Sequence, residues 1–274
     1  GGLRFHGLVL EGGRVMTAAC APSGTSAPHL LVTPGDAAGI GPEVALRAAP
    51  LRDAPSRLTC VGPAWLWTDA ADHFDLPPPR EFLPVPAIDD VQPQSVAYGR
   101  VSPVWARVAM ECVRTAAETC LLGEADGIVT APLNKAGIHA AGYDCKGHTD
   151  FIAGIADAAS HAMMLSTGAL RVVLVTHHQS LGSVAHELTR DDVEEKIRCA
   201  FTVGRRMGMA SPRIAVCGLN PHAGEDGAFG DEESQLILPA IENARASGID
   251  ASGPYPGDSI FTRAVRGEFD FVIA

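Results

Sequence analysis

The stretch 213-RIAVCGLNPHAGEDGAFG-230 opens as a smooth apolar run and closes in a tight cluster of Asn, Pro, His, Gly and acids. A short apolar run bounded by turn residues reads as a buried strand. The polar cluster then marks where the strand leaves its sheet. The same pattern recurs along the chain. "HLLVTPGD" from His29, "DGIVTAPL" from Asp126 and "RVVLVTHH" from Arg171 also run from apolar to polar, and "LTCVG" from Leu58 and "FDFVIA" from Phe269 complete the expected strands. Helical patterns fill the intervals at Pro42–Ala49, Val104–Leu122, Thr149–Ala159, Arg190–Met207 and Glu232–Ser247. Short strands alternating with longer helices indicate βαβ units around a mostly parallel sheet, so the expected class is α/β.

Several helix starts are signalled chemically. Pro42 suits a first turn and Glu43 the positive helix end. Thr189 is an expected N-cap with acids behind it, and Asp231 another. Either Thr149 or Asp150 can cap the helix that follows "GH".

With 274 residues, 46% of them hydrophobic and 19% charged, the chain has the make-up of a globular protein with a substantial core. A net charge of −11 and 21 dispersed Lys and Arg argue against nucleic acid, which needs clustered cations. Seven cysteines, without a C-x-x-C pair or regular spacing, read as reduced thiols of a cytoplasmic protein. No apolar run approaches the roughly 20 residues that span a bilayer, so no membrane partner is expected. Residues 1–28 read as a loose tail, because Glu11, Gly12, Gly13 and Arg14 interrupt what would otherwise resemble an export signal. Residues 29–274 are the expected catalytic α/β unit, in two lobes with the site in the crevice between them.

The strand ends hold the candidate chemistry. In open parallel sheets ligands collect outside the carboxyl ends of strands. "TPGDAAGIGPEV" (Thr33–Val44) joins a strand to a helix through Gly35, Gly39 and Gly41 but is neither a dinucleotide fingerprint nor a P-loop. Its bare amides suit an anion or a nucleotide edge; an ordinary βα turn reads equally well. "GHTDF" puts His148 and Thr149 at a helix start, where an imidazole and a hydroxyl can meet a substrate oxygen; a capping role needs no ligand at all. His178 ends one strand and His222 another, and imidazoles from neighbouring strands can share one divalent metal, although each taken singly reads as a surface histidine. Asp258 stands in an expected turn.

Together, "TPGDAAGIGPEV", "VTAPLNKAGIHAAG", "GHTDF", "VTHH", "CGLNPHAGEDGAFGDEE" and "GPYPGDSIF" resemble, in order, the 4-hydroxythreonine-4-phosphate dehydrogenase family of pyridoxal phosphate biosynthesis. The resemblance implies a three-layer αβα fold like that of isocitrate and isopropylmalate dehydrogenases. It also implies a homodimer, NAD or NADP, and one divalent metal (zinc, magnesium or cobalt) held by three histidines. Carried onto this chain, His178 and His222 correspond to two metal ligands, and His148 and Thr149 to substrate contacts. Asp258 corresponds to an acidic residue near the substrate, with a catalytic role, and Gly39 and Gly41 to cofactor contacts. In "VTHH" the family has "TTH", so His177 is an extra histidine. The implied reaction oxidises a secondary alcohol of a small phosphorylated hydroxy acid, with decarboxylation; relatives act on threonate or erythronate 4-phosphate. After a strand like "FDFVIA" the family continues into a third metal histidine and further substrate contacts, whereas this sequence stops at Ala274. A C-terminally truncated chain is therefore expected, one that turns substrate over below an ordinary enzyme rate for want of the third metal histidine, and a truncated non-catalytic ligand- or partner-binding chain is the alternative.

Overall fold

The computed structural model describes residues 4–10, 27–51, 55–91, 96–145 and 147–274. The chain divides into two compact units, one of residues 16–158 and the other of residues 1–15 and 159–274.

In the strand order of the chain, β1 is Arg4–Leu10, β2 His29–Thr33, β3 Arg57–Val61, β4 Phe82–Leu83 and β5 Gly127–Thr130. β6 (His161–Thr167), β7 (Leu170–Leu174), β8 (Ile214–Cys217), β9 (Ala251–Tyr255) and β10 (Phe271–Ile273) complete the strands. The helices are α1 (Gly41–Ala48), α2 (Ala64–His73), α3 (Pro103–Leu122), α4 (Lys135–Ala140) and α5 (His148–Ile155), then α6 (Leu181–Glu187), α7 (Arg190–Arg206), α8 (Leu238–Ala246) and α9 (Gly257–Val265).

The unit of residues 16–158 holds a four-stranded parallel sheet in the order β4-β3-β2-β5. β2 is central, and its Leu31, Val32 and Thr33 are buried. α3 lies against β2, β3 and β5. Its inner stripe, Trp105, Ala109, Cys112, Ala116 and Cys120, recurs at three- and four-residue steps, as one helix face requires. Pro103 opens α3, and Gly123 closes it in the left-handed conformation at φ 80°.

The other unit has a six-stranded sheet in the order β1-β6-β7-β10-β8-β9. β7, β10, β8 and β9 run parallel, whereas β6 pairs antiparallel with β7 and β1 antiparallel with β6. Side chains alternate across this sheet. Val173, Ile214, Val216, Phe271 and Ile273 pack with residues of α7 and α8, while Ala215 and Val272 pack with Ile260 and Ala264 of α9. Helices on both faces of a sheet make the αβα layering in this unit.

All six expected strands and all five expected helices form, with ends shifted by a few residues. Thr189 caps α7 in a reciprocal capping box with Asp192. Arg4–Leu10, expected within a loose tail, forms a strand paired with β6. The rest of that tail up to residue 26 lies outside the described residues. The cap of α5 is Gly147, so Thr149 and Asp150 occupy its first turn instead. The helix expected from Glu232 starts as one π turn, Glu233–Ile237, before α8 begins. Among the described residues the strands form not one sheet but one in each unit. Finally, β7 and β8 are not neighbours: β10 separates them, so their axes stand roughly 9–10 Å apart.

Candidate active site

The polar ends of β7 and β8 share an edge of the six-stranded sheet. β7 stays paired through Val175, whose amide donates to Ala274 O at 2.8 Å, and His177 and His178 follow after Thr176. His178 has φ 57°, a left-handed backbone uncommon for a residue with a side chain. Its ring centroid lies 5.2 Å from that of His177. Ser180 then caps α6, accepting from the amide of Ser183.

After β8 the chain makes an unusual turn. Five successive residues, His222 to Asp226, adopt positive φ of 52°, 53°, 82°, 44° and 54°. Only Gly224 among them escapes the Cβ penalty of left-handed backbone, which costs about 1–2 kcal/mol per residue. A buried carboxylate holds this run in place. Glu233, 6% exposed, accepts from the Asn220 amide at 2.7 Å and from Asn220 Nδ2 at 3.0 Å. Glu232 accepts from the same Nδ2 at 2.8 Å. Hydrogen bonds from backbone amides, and next this one from Asn220, hold the Glu232 carboxyl below its usual range. A Cβ on Gly224 would stand 2.6 Å from Glu233 Oε2, and one on Gly218 would stand 2.7 Å from Ala223 Cα. The polar cluster after β8 is therefore a loop wound left-handed around the buried Glu233, and it presents His222 to solvent.

His222 Nδ1 lies 3.4 Å from Glu225 Oε2, and its ring meets Phe229 edge-on at 6.2 Å. A carboxylate at Nδ1 orients the ring and leaves Nε2 free as a donor atom. Among the described residues, no three of His, Cys, Asp and Glu are grouped to hold a metal ion. Asp258, expected in a turn, is an exposed residue of the first turn of α9, where its charge favours the positive helix end. α9 packs against the left-handed loop.

The other unit has its own strand-end features. Gly35, at φ 63°, lies where a Cβ would meet Pro132 O at 2.4 Å, and the Asp36 amide donates to that same oxygen at 3.0 Å. A Cβ on Gly41 would fall 2.1 Å from Pro34 O, whereas one on Gly39 would come only to 3.3 Å from Asp36 O. Packing alone thus demands Gly35 and Gly41. Asp36 Oδ1 accepts from the Ala38 amide, and burial raises its carboxyl above the ordinary range. Thr33 at the end of β2 is fully buried, and its Oγ1 has no partner among the described residues. Asn134, in "APLNK", accepts from the Gly137 amide and so caps α4.

His148 opens α5 behind Gly147, with no side chain capping the helix. Its Nε2 is buried without a hydrogen-bond partner among the described residues, and burial pushes its pKa down to about 4. The ring is neutral at pH 7 and has one unfilled hydrogen-bonding position beside a helix N-terminus. A buried polar atom left open in this way calls for a partner, which a water, an ion or a ligand group would supply. By contrast, burial pushes the thiols of Cys60 and Cys120 up to about 12 and Cys217 up to about 11. Such thiols are poor nucleophiles.

A family model described as "Pyridoxal phosphate biosynthetic protein PdxA" matches residues 68–274. The chain belongs to the PdxA family. D-threonate 4-phosphate dehydrogenase of Salmonella typhimurium is 38% identical over 261 residues, covering 89% of this chain and 79% of that protein. A 4-hydroxythreonine-4-phosphate dehydrogenase of Beijerinckia indica is 47% identical over 178 residues, 65% of this chain and 53% of that one. The crystal structure of 4-hydroxythreonine-4-phosphate dehydrogenase from Klebsiella pneumoniae superposes with a TM-score of 0.80 at 34% identity, covering 92% of this chain and 81% of that one. This PdxA-family chain is thus an oxidoreductase of the dehydrogenase kind. The PdxA signatures "GHT" and "LNPHAGE" were legible in sequence. The pairing of Glu233 with Asn220 is not legible there, because it joins a π turn to a loop thirteen positions away, a contact that no local pattern reports.

Proposed function

We propose that the chain oxidises the secondary hydroxyl of 4-phosphohydroxy-L-threonine or a similar phosphorylated hydroxy acid, with NAD or NADP as hydride acceptor. The carbinol C–H bond breaks and its hydride passes to the nicotinamide, while the hydroxyl proton passes to a base or to solvent. The resulting 3-keto acid then loses carbon dioxide and gains a proton at the carbon it left. The observation that carries this reading to the chain's own residues is the open Nε2 of His148 at the uncapped start of α5. A neutral imidazole, the Thr149 hydroxyl and first-turn amides together offer hydrogen bonds to anionic and hydroxyl oxygens.

Asp258 is proposed as the acidic residue near the substrate, and the Gly39–Gly41 segment as a cofactor contact. A divalent metal (zinc, magnesium or cobalt) is proposed on His178 and His222, and the role given to these two residues is confined to binding it. The chain is proposed to be cytoplasmic, homodimeric and organised as one catalytic unit over residues 29–274. D-threonate or D-erythronate 4-phosphate is a second candidate substrate, because D-threonate 4-phosphate dehydrogenases at 36–38% identity match 89–90% of this chain.

The test follows NAD(P)H absorbance with each substrate for the chain and its His148→Asn variant. Turnover of one of these substrates, lowered about 100-fold or more in the variant, is expected. Equal rates would remove His148 from the site. In parallel, calorimetric titration with zinc should show binding that weakens about tenfold or more in His178→Ala and in His222→Ala. Unchanged affinity in either variant would discard that ligand.

A further inference from the structure

Against the first turn of α5 stands a side-chain cluster that the proposed chemistry does not use. Glu111 of α3 is its centre, with a side chain 16% exposed. Tyr143 Oη donates to Glu111 Oε1 at 2.7 Å, and Arg114 Nε lies 3.3 Å from Glu111 Oε2. Both partners then close on one ring. The Arg114 guanidinium stands 5.0 Å from the centroid of Phe151, and the Tyr143 ring meets Phe151 edge-on at 5.8 Å and 85°. Phe151 follows His148 by three positions on α5, which puts the two on neighbouring turns of one helix face.

The arrangement is stiff for chemical reasons. A guanidinium over an aromatic face and an edge-on aromatic pair each contribute beyond simple burial. Glu111 fixes the two groups that make them. Burial, and next the hydrogen bond to Glu111, raise the Tyr143 hydroxyl far above its usual pKa, so it stays a donor throughout the working range. α5 lacks a side-chain cap and is only eight residues long, so its own backbone does little to fix its first turn.

We propose that Glu111 is a positioning residue: through Tyr143 and Arg114 it clamps Phe151 and so sets the placement of His148 and Thr149. The proposal rests on the substrate role given above to those two residues. It distinguishes Glu111 from an ordinary stabilising contact, because its loss must move a side chain on another element.

The experiment compares Glu111→Ala, Glu111→Gln and Tyr143→Phe with the unchanged chain, and with Glu43→Ala, which removes a surface ion pair on α1 as a control. Two readouts are followed: the ring resonances of His148 by NMR without ligand, and KM and kcat with 4-phosphohydroxy-L-threonine or D-threonate 4-phosphate. Glu111→Ala should shift the His148 resonances and raise KM about tenfold while kcat changes much less, the mark of lost positioning in binding. Glu111→Gln keeps an acceptor for Tyr143 and should recover most of both. If Glu111→Ala folds and leaves His148 and KM unmoved, with only the melting temperature lowered, the positioning role is wrong. Should Glu111→Ala not fold, Tyr143→Phe decides, since it keeps the ring on Phe151 and removes one hydrogen bond; unmoved His148 resonances there overturn the proposal. A chain that turns over neither substrate refutes the proposed reaction alone, and the NMR comparison still tests Glu111.

Discussion

Glycine shows how one residue type answers two different demands in a single turn. Gly41 has a backbone oxygen where its Cβ would be, at 2.1 Å, and backbone atoms cannot swing aside as a side-chain tip can. Gly41→Ala should therefore destabilise the chain by about 2–3 kcal/mol, as overpacking does. Gly39→Ala, with 3.3 Å to Asp36 O, should cost under about 1 kcal/mol. Urea denaturation of both variants checks this, and equal losses would contradict the packing account. Because Gly39→Ala keeps the fold, it is the variant in which to measure NAD(P) affinity. "DAAGIGPEV" made these glycines visible in the sequence, but not their different reasons. Those depend on Pro34 folding back over Gly41 and on Pro132 arriving from about a hundred residues away beside Gly35.

Among the elements, the left-handed run His222–Asp226 concentrates the most strain, and the π turn beside it supplies the restraint. A π turn inserts one residue into a helix, often at functional sites. Here it holds Glu233, where its carboxylate accepts from Asn220. Ala223→Gly should stabilise the chain by about 0.5–1 kcal/mol by relieving φ 53° at a residue with a Cβ. Glu233→Ala should destabilise by about 2–3 kcal/mol, because the Asn220 amide is left without its acceptor. Hydrogen exchange over residues 218–230 should accelerate in Glu233→Ala and not in Ala223→Gly. Equal protection in the two variants would mean that Glu233 does not restrain the loop. The sequence signals that a strand ends at Asn220, since Asn, Pro and Gly are turn residues. The handedness of the run from His222 to Asp226 is hidden, because His, Ala, Glu and Asp have no preference for left-handed backbone strong enough to announce it.

For the molecule as a whole, the buried imidazole of His148 makes stability depend on pH with a definite sign. The His148 pKa falls to about 4 in the fold from an ordinary value of 6.5, the first cause being burial. Between these values the unfolded chain binds a proton that the folded chain does not, so this contribution to stability is full above pH 6.5 and is lost as pH falls toward 4. The slope from one such proton is at most about 1.4 kcal/mol per pH unit. Urea midpoints of the chain and of His148→Asn, compared from about pH 7.5 to about pH 4.5, should converge toward acid; parallel curves would show that His148 titrates normally. The sequence by itself determined the α/β class, the positions of six strands and five helices, the strand-end motifs and the family. All of these are written in local periodicity, turn residues and contiguous signatures. Only the tertiary structure decided that there are two sheets, that β10 lies between β7 and β8, that Gly147 rather than Thr149 caps α5, and that Glu233 meets Asn220 and Glu111 meets Tyr143. Strand order and buried polar pairing join residues far apart along the chain, and their energies arise only when the fold removes both partners from water.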